Sequence, residues 1–495
     1  MHELLTPDQM SKADALTIKS GISGIKLMHN AGEVLLAAVQ KHFPKAQKIL
    51  VVAGIGNNGG DGFVLANLLL REKCNVTVTI IGDTEKIAGD ARLAYDEMSK
   101  NITIETNPNF DDYDLIVDAI FGAGLTREIT GAYAETVLSI NAASAQVLAV
   151  DLPSGINGRT GQVSGCAIKA DVTATFFRYK LGHLLYPGRD HCGDLFLGQI
   201  GITNDVLDQL SPQIHQNAPQ LWQDQYPFIK ANGHKYTRGH ALAISGGLDK
   251  SGAARLMAKS ALRMGAGLVT IACPSQTMSA HAARTDAIML IKMDGADDLI
   301  KILGDKRINA ICIGPGLDPN GNTRDLVRAI LKTDRSVVLD AGALTAFSND
   351  PGELFELINS RSSATIMTPH DGEFAKLFPD LLTCEDKVQR AKTASQRSDA
   401  SIVLKGPDTV ITDSAGHAAI SDNAPPWLAT AGSGDVLCGI IAALLAQGMP
   451  EFKAACAGVW FHGEAGAKAG PGLISSDLEI ALKDVIKHIY QNGFN

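Results

Sequence analysis

Apolar residues along this chain fall into two alternating kinds of run. Short blocks rich in valine, isoleucine and leucine, such as KILVVA, NVTVTI, LIVDAI and QVLAV, have the length of buried strands. Longer stretches carry apolar positions three and four apart, as in 25–42 and 63–73, and read as amphipathic helices. The first helix opens at Thr6-Pro7-Asp8, where Thr6 can cap, Pro7 suits the first helical position and Asp8 complements the dipole. It runs through Ile18, breaks at Gly21 to Gly24 and resumes from Ile25 to about His42. Strand, glycine turn, helix and strand then repeat, the pattern of βαβ units in an α/β protein. The alternation returns in the C-terminal half with HALAIS, GLVTIACP, NAICIGPG, SVVLDAG, ATIMTP and SIVLKG.

Between the halves, residues 203–235 lose the pattern. Pro212, Pro219 and Pro227 stand among many glutamines and asparagines, which suits a linker. The boundary is expected near Ala218, giving domains 1–218 and 219–495, with Trp222 anchoring the second. A chain of 495 residues is indeed too long for one ordinary domain. The formal charge of −9 and the 5% aromatic content argue against a general nucleic-acid surface. They do not exclude small anions, which helix N-termini bind without net positive charge. Eight cysteines with no CxxC spacing read as reduced thiols of a cytoplasmic protein, and neither Cys166 nor Cys192 receives a role. The N-terminal segment has no apolar signal core, and no run of 18 apolar residues exists, so no membrane association is expected.

Candidate chemistry gathers where strands end. Gly54-x-Gly56-x-x-Gly59 matches a dinucleotide-binding fingerprint, with Asp83 near the place of a ribose-binding acid. Asn57, Asn58 and Asp61 crowd that turn, and an amide oxygen serves a hard cation as well as a substrate. Two later strands end at Asp118, before the turn Gly122 to Glu128, and at Asp151, just ahead of Ser154. Three polar strand ends in equivalent positions point to one shared site. In the C-terminal half the main feature is TAGSGDVLCGIIAALLA, 430–446. It sets Gly432, Ser433 and Gly434 at the start of an apolar helix, where free N–H groups favour an anion. Asp435 in the first turn is either an ordinary helix-start acid or a base for a hydroxyl that attacks phosphorus. Lys250 misses the P-loop spacing. The turns at Gly314-Pro315-Gly316, Asp340, Thr368 to Glu373 and Lys405 to Thr409 each read as simple turns or as site loops. Lys405, leaving a buried strand ahead of the anion site, can neutralise phosphates. His183 and His191 lack a second ligand at any motif spacing and read as structural or solvent-facing.

The segments GNNGGDG, VDAIFGAGL and VDLPSG together resemble the YjeF N-terminal family, the NAD(P)HX epimerases, over roughly residues 1–218. The resemblance implies a Rossmann-like αβα sandwich. It also implies substrate contacts from Asn57, Asn58, Gly59, Gly60 and Asp61 and from Gly122, Ala123, Gly124, Leu125, Thr126, Arg127 and Glu128. Asn58, Asp118 and Ser154 would ligate potassium, and Asp151 would be both a substrate contact and the acid/base candidate, with Arg127 as a further one. Oxygen-only ligands agree with a hard monovalent cation.

The G-x-G-D of 432–435 resembles the anion-hole motif of the ribokinase superfamily. With SGGLDKSGAA, GPGL, VLDAGAL, TPHDGEFAKL and KGPDT it resembles the YjeF C-terminal family, the ADP-dependent NAD(P)H-hydrate dehydratases of ribokinase-like α/β fold, over nearly all of 219–495. The resemblance implies hydrate contacts from Ala253, Gly316, His370 and Asp435. It implies nucleotide contacts from Lys405, Gly406, Pro407, Asp408, Thr409 and Gly434. Together the halves imply a bifunctional repair enzyme of the bacterial fused type, acting on NAD(P)HX. ADP is the expected co-substrate, with ATP as the alternative and Mg2+ as its companion. A homo-oligomer is expected, with small molecules and no nucleic acid as partners. Two other readings stay open: a small-molecule kinase of the ribokinase superfamily, and a first domain that only binds nucleotides or proteins.

Overall fold

The computed structural model describes residues 2–230 and 232–494. It divides into two compact units, Glu3–Pro212 and the chain from Gln213 on. The division falls ahead of Ala218 because the strand Ile214–Gln216 pairs with Ala418–Ile420, deep in the second sequence half. Among the described residues no helix is long and apolar enough to cross a membrane.

The first unit holds seven parallel strands: β1 (Lys48–Ala53), β2 (Asn75–Ile80), β3 (Thr103–Ile104), β4 (Leu115–Ala119), β5 (Gln146–Val150), β6 (Val172–Phe176) and β7 (Asp194–Gly198). Their order is β3-β2-β1-β4-β5-β6-β7. Side chains alternate across a strand, and the burial follows. Ile49, Val51 and Ala53 of β1 join one apolar core with Val117 and Leu148, while Leu50 and Val52 join a second with Ile116 and Ala149. Both faces of the sheet are therefore covered, which explains strands that are apolar throughout.

The helix after β1 is Asn57–Arg71, with Gly56 as its N-cap. The sequence pattern instead suggests a loop through Asp61 and a helix from Phe63. The reason for the difference is packing. A Cβ on Gly59 would overlap the Gly54 carbonyl, and one on Gly62 would lie 2.7 Å from the Ala119 Cβ. These glycines let the helix start lie directly on the sheet, so they serve close approach rather than loop freedom. The opening helix, Pro7–Lys19, has Thr6 as N-cap in a reciprocal capping box with Gln9.

The second unit holds β8 (Ile214–Gln216), β9 (His240–Ile244), β10 (Leu268–Cys273), β11 (Met289–Lys292), β12 (Ala310–Ile313), β13 (Ser336–Leu339), β14 (Thr365–Met367), β15 (Ser401–Leu404), β16 (Val410–Thr412) and β17 (Ala418–Ile420). The order is β11-β10-β9-β12-β13-β14-β15-β16-β17-β8. Pairing is parallel from β11 to β15, and β16 runs antiparallel to both its neighbours. The helix Ser433–Ala446 is buried at every residue except Gly434 and Asp435. Its neighbour Ser251–Arg263 comes close enough that a Cβ on Gly439 would overlap the Met257 carbonyl. An apolar helix that exposes only its first turn delivers that turn, and nothing else, to a site. Trp222 is fully buried and packs on Trp460 and Phe461, in the place its anchoring role requires.

Candidate functional sites

In the first unit, β1, β4 and β5 are adjacent, and the strand order reverses between β1 and β4. Open α/β sheets bind ligands at such a reversal, beyond the carboxyl ends of the strands. A cavity of about 580 Å³ lies there, lined among others by Asn57, Asn58, Asp61, Gly122, Asp151 and Lys180. The rest of the predicted turn, Ala123 to Arg127, also lines it. Gly59 and Gly60 do not: they pack on Gly54 and on Met28. Glu128 is exposed outside it.

Asp151 follows β5 in a left-handed conformation, φ 65°, a sparsely populated region for a residue with a side chain. Its surroundings hold it there. His183 Nε2 sits 2.7 Å from its carbonyl oxygen, and its Oδ2 accepts the Ala123 N–H at 3.2 Å. Its Oδ1 accepts from Lys180 Nζ at 2.5 Å and from Thr175 Oγ1 at 2.9 Å. Burial favours the neutral acid, but the Lys180 charge and hydrogen bond overcome it and keep the Asp151 pKa below the ordinary value. Asp61 shows the opposite case. Burial first, then repulsion from Asp151 and Asp14, pushes its pKa well up. His183 is wholly buried, and burial with the neighbouring Lys180 lowers its pKa to about 4, so it is a neutral structural group. His191 places Nδ1 2.8 Å from the Ile168 carbonyl oxygen. Both rings are held by backbone groups. Lys180 and Asp14 were not singled out by the sequence. The one signal for Lys180 was a lysine shortly after an apolar strand, in FFRYKLG.

Behind the cavity, Asp118 is fully buried. Its Oδ1 accepts from Ser154 Oγ at 2.6 Å and its Oδ2 from the Ser154 N–H at 2.8 Å. Ser154 Oγ also meets the Phe121 carbonyl oxygen at 3.1 Å. Among the described residues no lysine or arginine pairs with Asp118, and burial raises its pKa to about 6. The Asn58 Oδ1 reaches the neighbouring Gly122, 2.9 Å from where a Cβ would stand, while its buried Nδ2 has no hydrogen-bond partner among the described residues. A buried carboxylate beside hydroxyl and carbonyl oxygens, with the Asn58 amide oxygen at the adjoining Gly122, is donor chemistry that suits a hard monovalent ion such as potassium.

In the second unit the site forms around the first turn of Ser433–Ala446. Gly432, the N-cap, has φ 84°, and a Cβ there would lie 2.7 Å from both Leu256 and Ser475. His462 Nε2 meets both the hydroxyl and the carbonyl of Ser433 at 3.0 Å and so fixes the turn. Lys405 Nζ lies 2.7 Å from Asp340 Oδ1 and 3.8 Å from Glu373 Oε2. The Cys438 thiol donates to the other Asp340 oxygen at 3.3 Å. A Cβ on Gly434 would stand 3.6 Å from the Lys405 ammonium, so that charge lies at the helix start, where the sequence puts the anion. Asp435 is half-buried. Burial and the Asp340 charge, opposed by Lys405, raise its pKa to about 6.

The other predicted residues divide. Gly316, φ 76°, packs on Ala253, with a Cβ position 3.3 Å from the Ala253 Cβ. His370 is exposed and caps the following turn, its Nδ1 accepting the Gly372 N–H at 2.9 Å, while its backbone bridges to Lys405. Asp408 is buried against Lys387 at 2.5 Å, and Thr409 closes the turn onto the Gly406 carbonyl at 2.8 Å. Lys405, Gly406 and Pro407 of that turn reach the surface, and Asp408 and Thr409 do not. Asp340, Glu373, Cys438 and His462 had no assigned role in the sequence reading.

Two family models match the chain. One, described as NAD(P)H-hydrate dehydratase, matches residues 241–484, and one for the YjeF-related protein N-terminus matches 24–182. The bifunctional NAD(P)H-hydrate repair enzyme Nnr of Coxiella burnetii is 33% identical, over 95% of this chain and 96% of its own length. The enzyme of the same name from Moorella thermoacetica is 36% identical, over 98% and 97%. Among solved structures, the ADP/ATP-dependent NAD(P)H-hydrate dehydratase of Bacillus subtilis, co-crystallised with ATP and Mg2+, is 28% identical, covering 54% of this chain and 95% of its own, with a TM-score of 0.46.

Proposed function

The chain belongs to the family of bifunctional NAD(P)H-hydrate repair enzymes, and from that premise we propose that its two units carry the two steps of the repair. The first unit, to Pro212, interconverts the R and S hydrates of NADH and NADPH. The second, from Gln213 on, dehydrates the S hydrate while converting ADP to AMP and phosphate.

The observation that carries the second step is Asp435, an acid of raised pKa at an open helix N-terminus beside the Lys405 ammonium. The hydrate bears a hydroxyl on the carbon next to the ring nitrogen. Hydroxide leaves poorly and phosphate leaves well. Asp435 takes the hydroxyl proton, and the oxygen attacks the terminal phosphorus of ADP. The N–H groups of Gly432 to Gly434 and Lys405 hold the charge that develops. The ring-nitrogen lone pair then expels phosphate to leave an iminium, and loss of a proton from the adjacent ring carbon restores NAD(P)H. Ala253, Gly316 and His370 surround the hydrate, and Gly406 and Pro407 the nucleotide. Mg2+ would neutralise the phosphates when bound. ATP in place of ADP is the variant of this reading.

In the first unit Asp151, kept ionised by Lys180, removes the hydroxyl proton that starts the inversion. Asn57, Asp61 and the turn Gly122 to Arg127 hold the hydrate. A potassium ion on Asn58, Asp118 and Ser154 would supply positive charge beneath that turn. The substitution Asp435→Asn tests the assignment: dehydration falls by at least about a hundredfold and epimerisation persists. Retained dehydration would remove Asp435 from its role.

A further inference from the structure

The helix Pro7–Lys19 turns one stripe toward the first cavity. Met10, Asp14 and Ile18, four residues apart, all line it. Met10 and Ile18 are the apolar contacts that a helix covering a pocket supplies. Asp14 between them has no structural reason to be there. Thr6 caps this helix and Asp8 is its first-turn acid, while aspartate in mid-helix is a poor helix former. The Asp14 carboxyl has no hydrogen-bond or ion-pair partner among the described residues. The charged groups around it are Lys180 and Asp151, which act on it directly, and Asp61, Asp90 and Arg127, which line the same cavity. The Lys180 ammonium is already committed to Asp151 Oδ1, Thr175 Oγ1 and the Phe176 carbonyl oxygen.

Inverting a carbon that bears both a hydroxyl and a ring nitrogen requires two proton-handling groups, one at the oxygen and one at the nitrogen. Asp151 supplies one. We propose that Asp14 is the other, and this rests on the epimerase reading of the cavity. Asp151 takes the hydroxyl proton, the carbon–nitrogen bond opens, its electron pair goes to nitrogen, and Asp14 delivers a proton there. The aldehyde so formed turns its other face to the nitrogen. Asp14 takes the N–H proton back as the bond re-forms, and Asp151 returns the first proton to oxygen. Atoms, charge and protons balance with no co-reactant. Burial, opposed by Lys180 and aided by Asp151, raises the Asp14 pKa to about 6, where a group both gives and accepts near neutral pH. Asp61 also lines the cavity, and its pKa is raised as well, by burial first and then by Asp151 and Asp14.

The test uses the full chain carrying Asp14→Asn, with Asp14→Glu beside it. Epimerisation of purified R-NADHX is followed by NMR, with the spontaneous rate subtracted, and NADHX binding is measured by calorimetry. The expected result is a rate at least about a hundredfold lower in Asp14→Asn, with binding within about threefold of wild type and partial recovery in Asp14→Glu. Wild-type epimerisation should also slow as pH rises through about 6, and that limb should vanish in Asp14→Asn. Epimerisation within about threefold of wild type, or a loss confined to binding, would overturn the role. A wild-type chain that does not epimerise NADHX at all removes the epimerase reading and the inference with it.

Discussion

Replacing Lys180 with methionine removes one charge and keeps an unbranched apolar stem. The Lys180 side chain is 1% exposed and its partner Asp151 16%, with 2.5 Å between Nζ and Oδ1. Deleting one member of such a buried pair strands the other, at a cost of about 3–5 kcal/mol while Asp151 stays ionised. For a unit of this size each kcal/mol moves the melting temperature by roughly 2–4 °C, so a loss of about 6–20 °C follows. The pH dependence identifies the cause. In the native protein the Asp151 pKa is depressed, so the ionised group stabilises the fold above about pH 4, and that contribution is lost as pH falls through the folded pKa. Without Lys180, burial wins and the Asp151 pKa rises above its ordinary value. The ionised group then opposes folding, and protonation relieves it. Asp14, which Lys180 also favours as an anion, moves in the same direction. The melting gap between Lys180→Met and wild type is therefore widest near pH 8 and shrinks toward about pH 5. Scanning calorimetry of the first-unit transition across that range reads it directly. A gap that stays constant would mean that Lys180 contributes packing alone and that its charge does not set the state of Asp151.

Three further outcomes follow from the sites. Dehydration should fail as pH drops through about 6, where Asp435 protonates, and Asp340→Asn should shift that limb to lower pH by removing the charge that repels Asp435; a pH–rate profile that does not move would place the titration elsewhere. Gly314 has φ 127°, and a Cβ there would overlap the Asp340 carbonyl, so Gly314→Ala should cost at least about 2 kcal/mol in thermal unfolding of the second unit; wild-type melting would show that the turn relaxes freely. Saturating potassium should raise the melting point of the first unit relative to tetramethylammonium, by about 1–3 kcal/mol of linkage, and Asp118→Asn should abolish the difference; equal melting of wild type in both salts would remove the cation from this site.

The strand ends were legible because an apolar block followed by an acid and a glycine turn allows few placements, and parallel topology then gathers β1, β4 and β5. The cap at Thr6 and the buried helix at 433–446 were legible for equally local reasons. The helix start at Asn57 was not, because NNGGDG has the composition of a loop. Only its fit against Gly54 and Ala119 explains glycines in a helical first turn. The ion pairs were also out of reach. Lys180 meets Asp151 across 29 residues and Lys405 meets Asp340 across 65, and each contact depends on sheet order and on the path of the chain beyond a strand. Sequence pattern located Lys405 near an anion site and Asp340 at a strand end in VLDAGAL, but nothing local to either residue says that the two meet.

The central claim is tested most directly by giving the purified chain a mixture of R- and S-NADHX with ADP and following the absorbance of reduced nicotinamide. Both activities in one chain predict complete recovery of NADH from both epimers, faster than the R form isomerises spontaneously. Recovery of the S share alone, with the remainder at the spontaneous rate, would contradict an epimerase in the first unit. No recovery with ADP or with ATP would contradict the account as a whole.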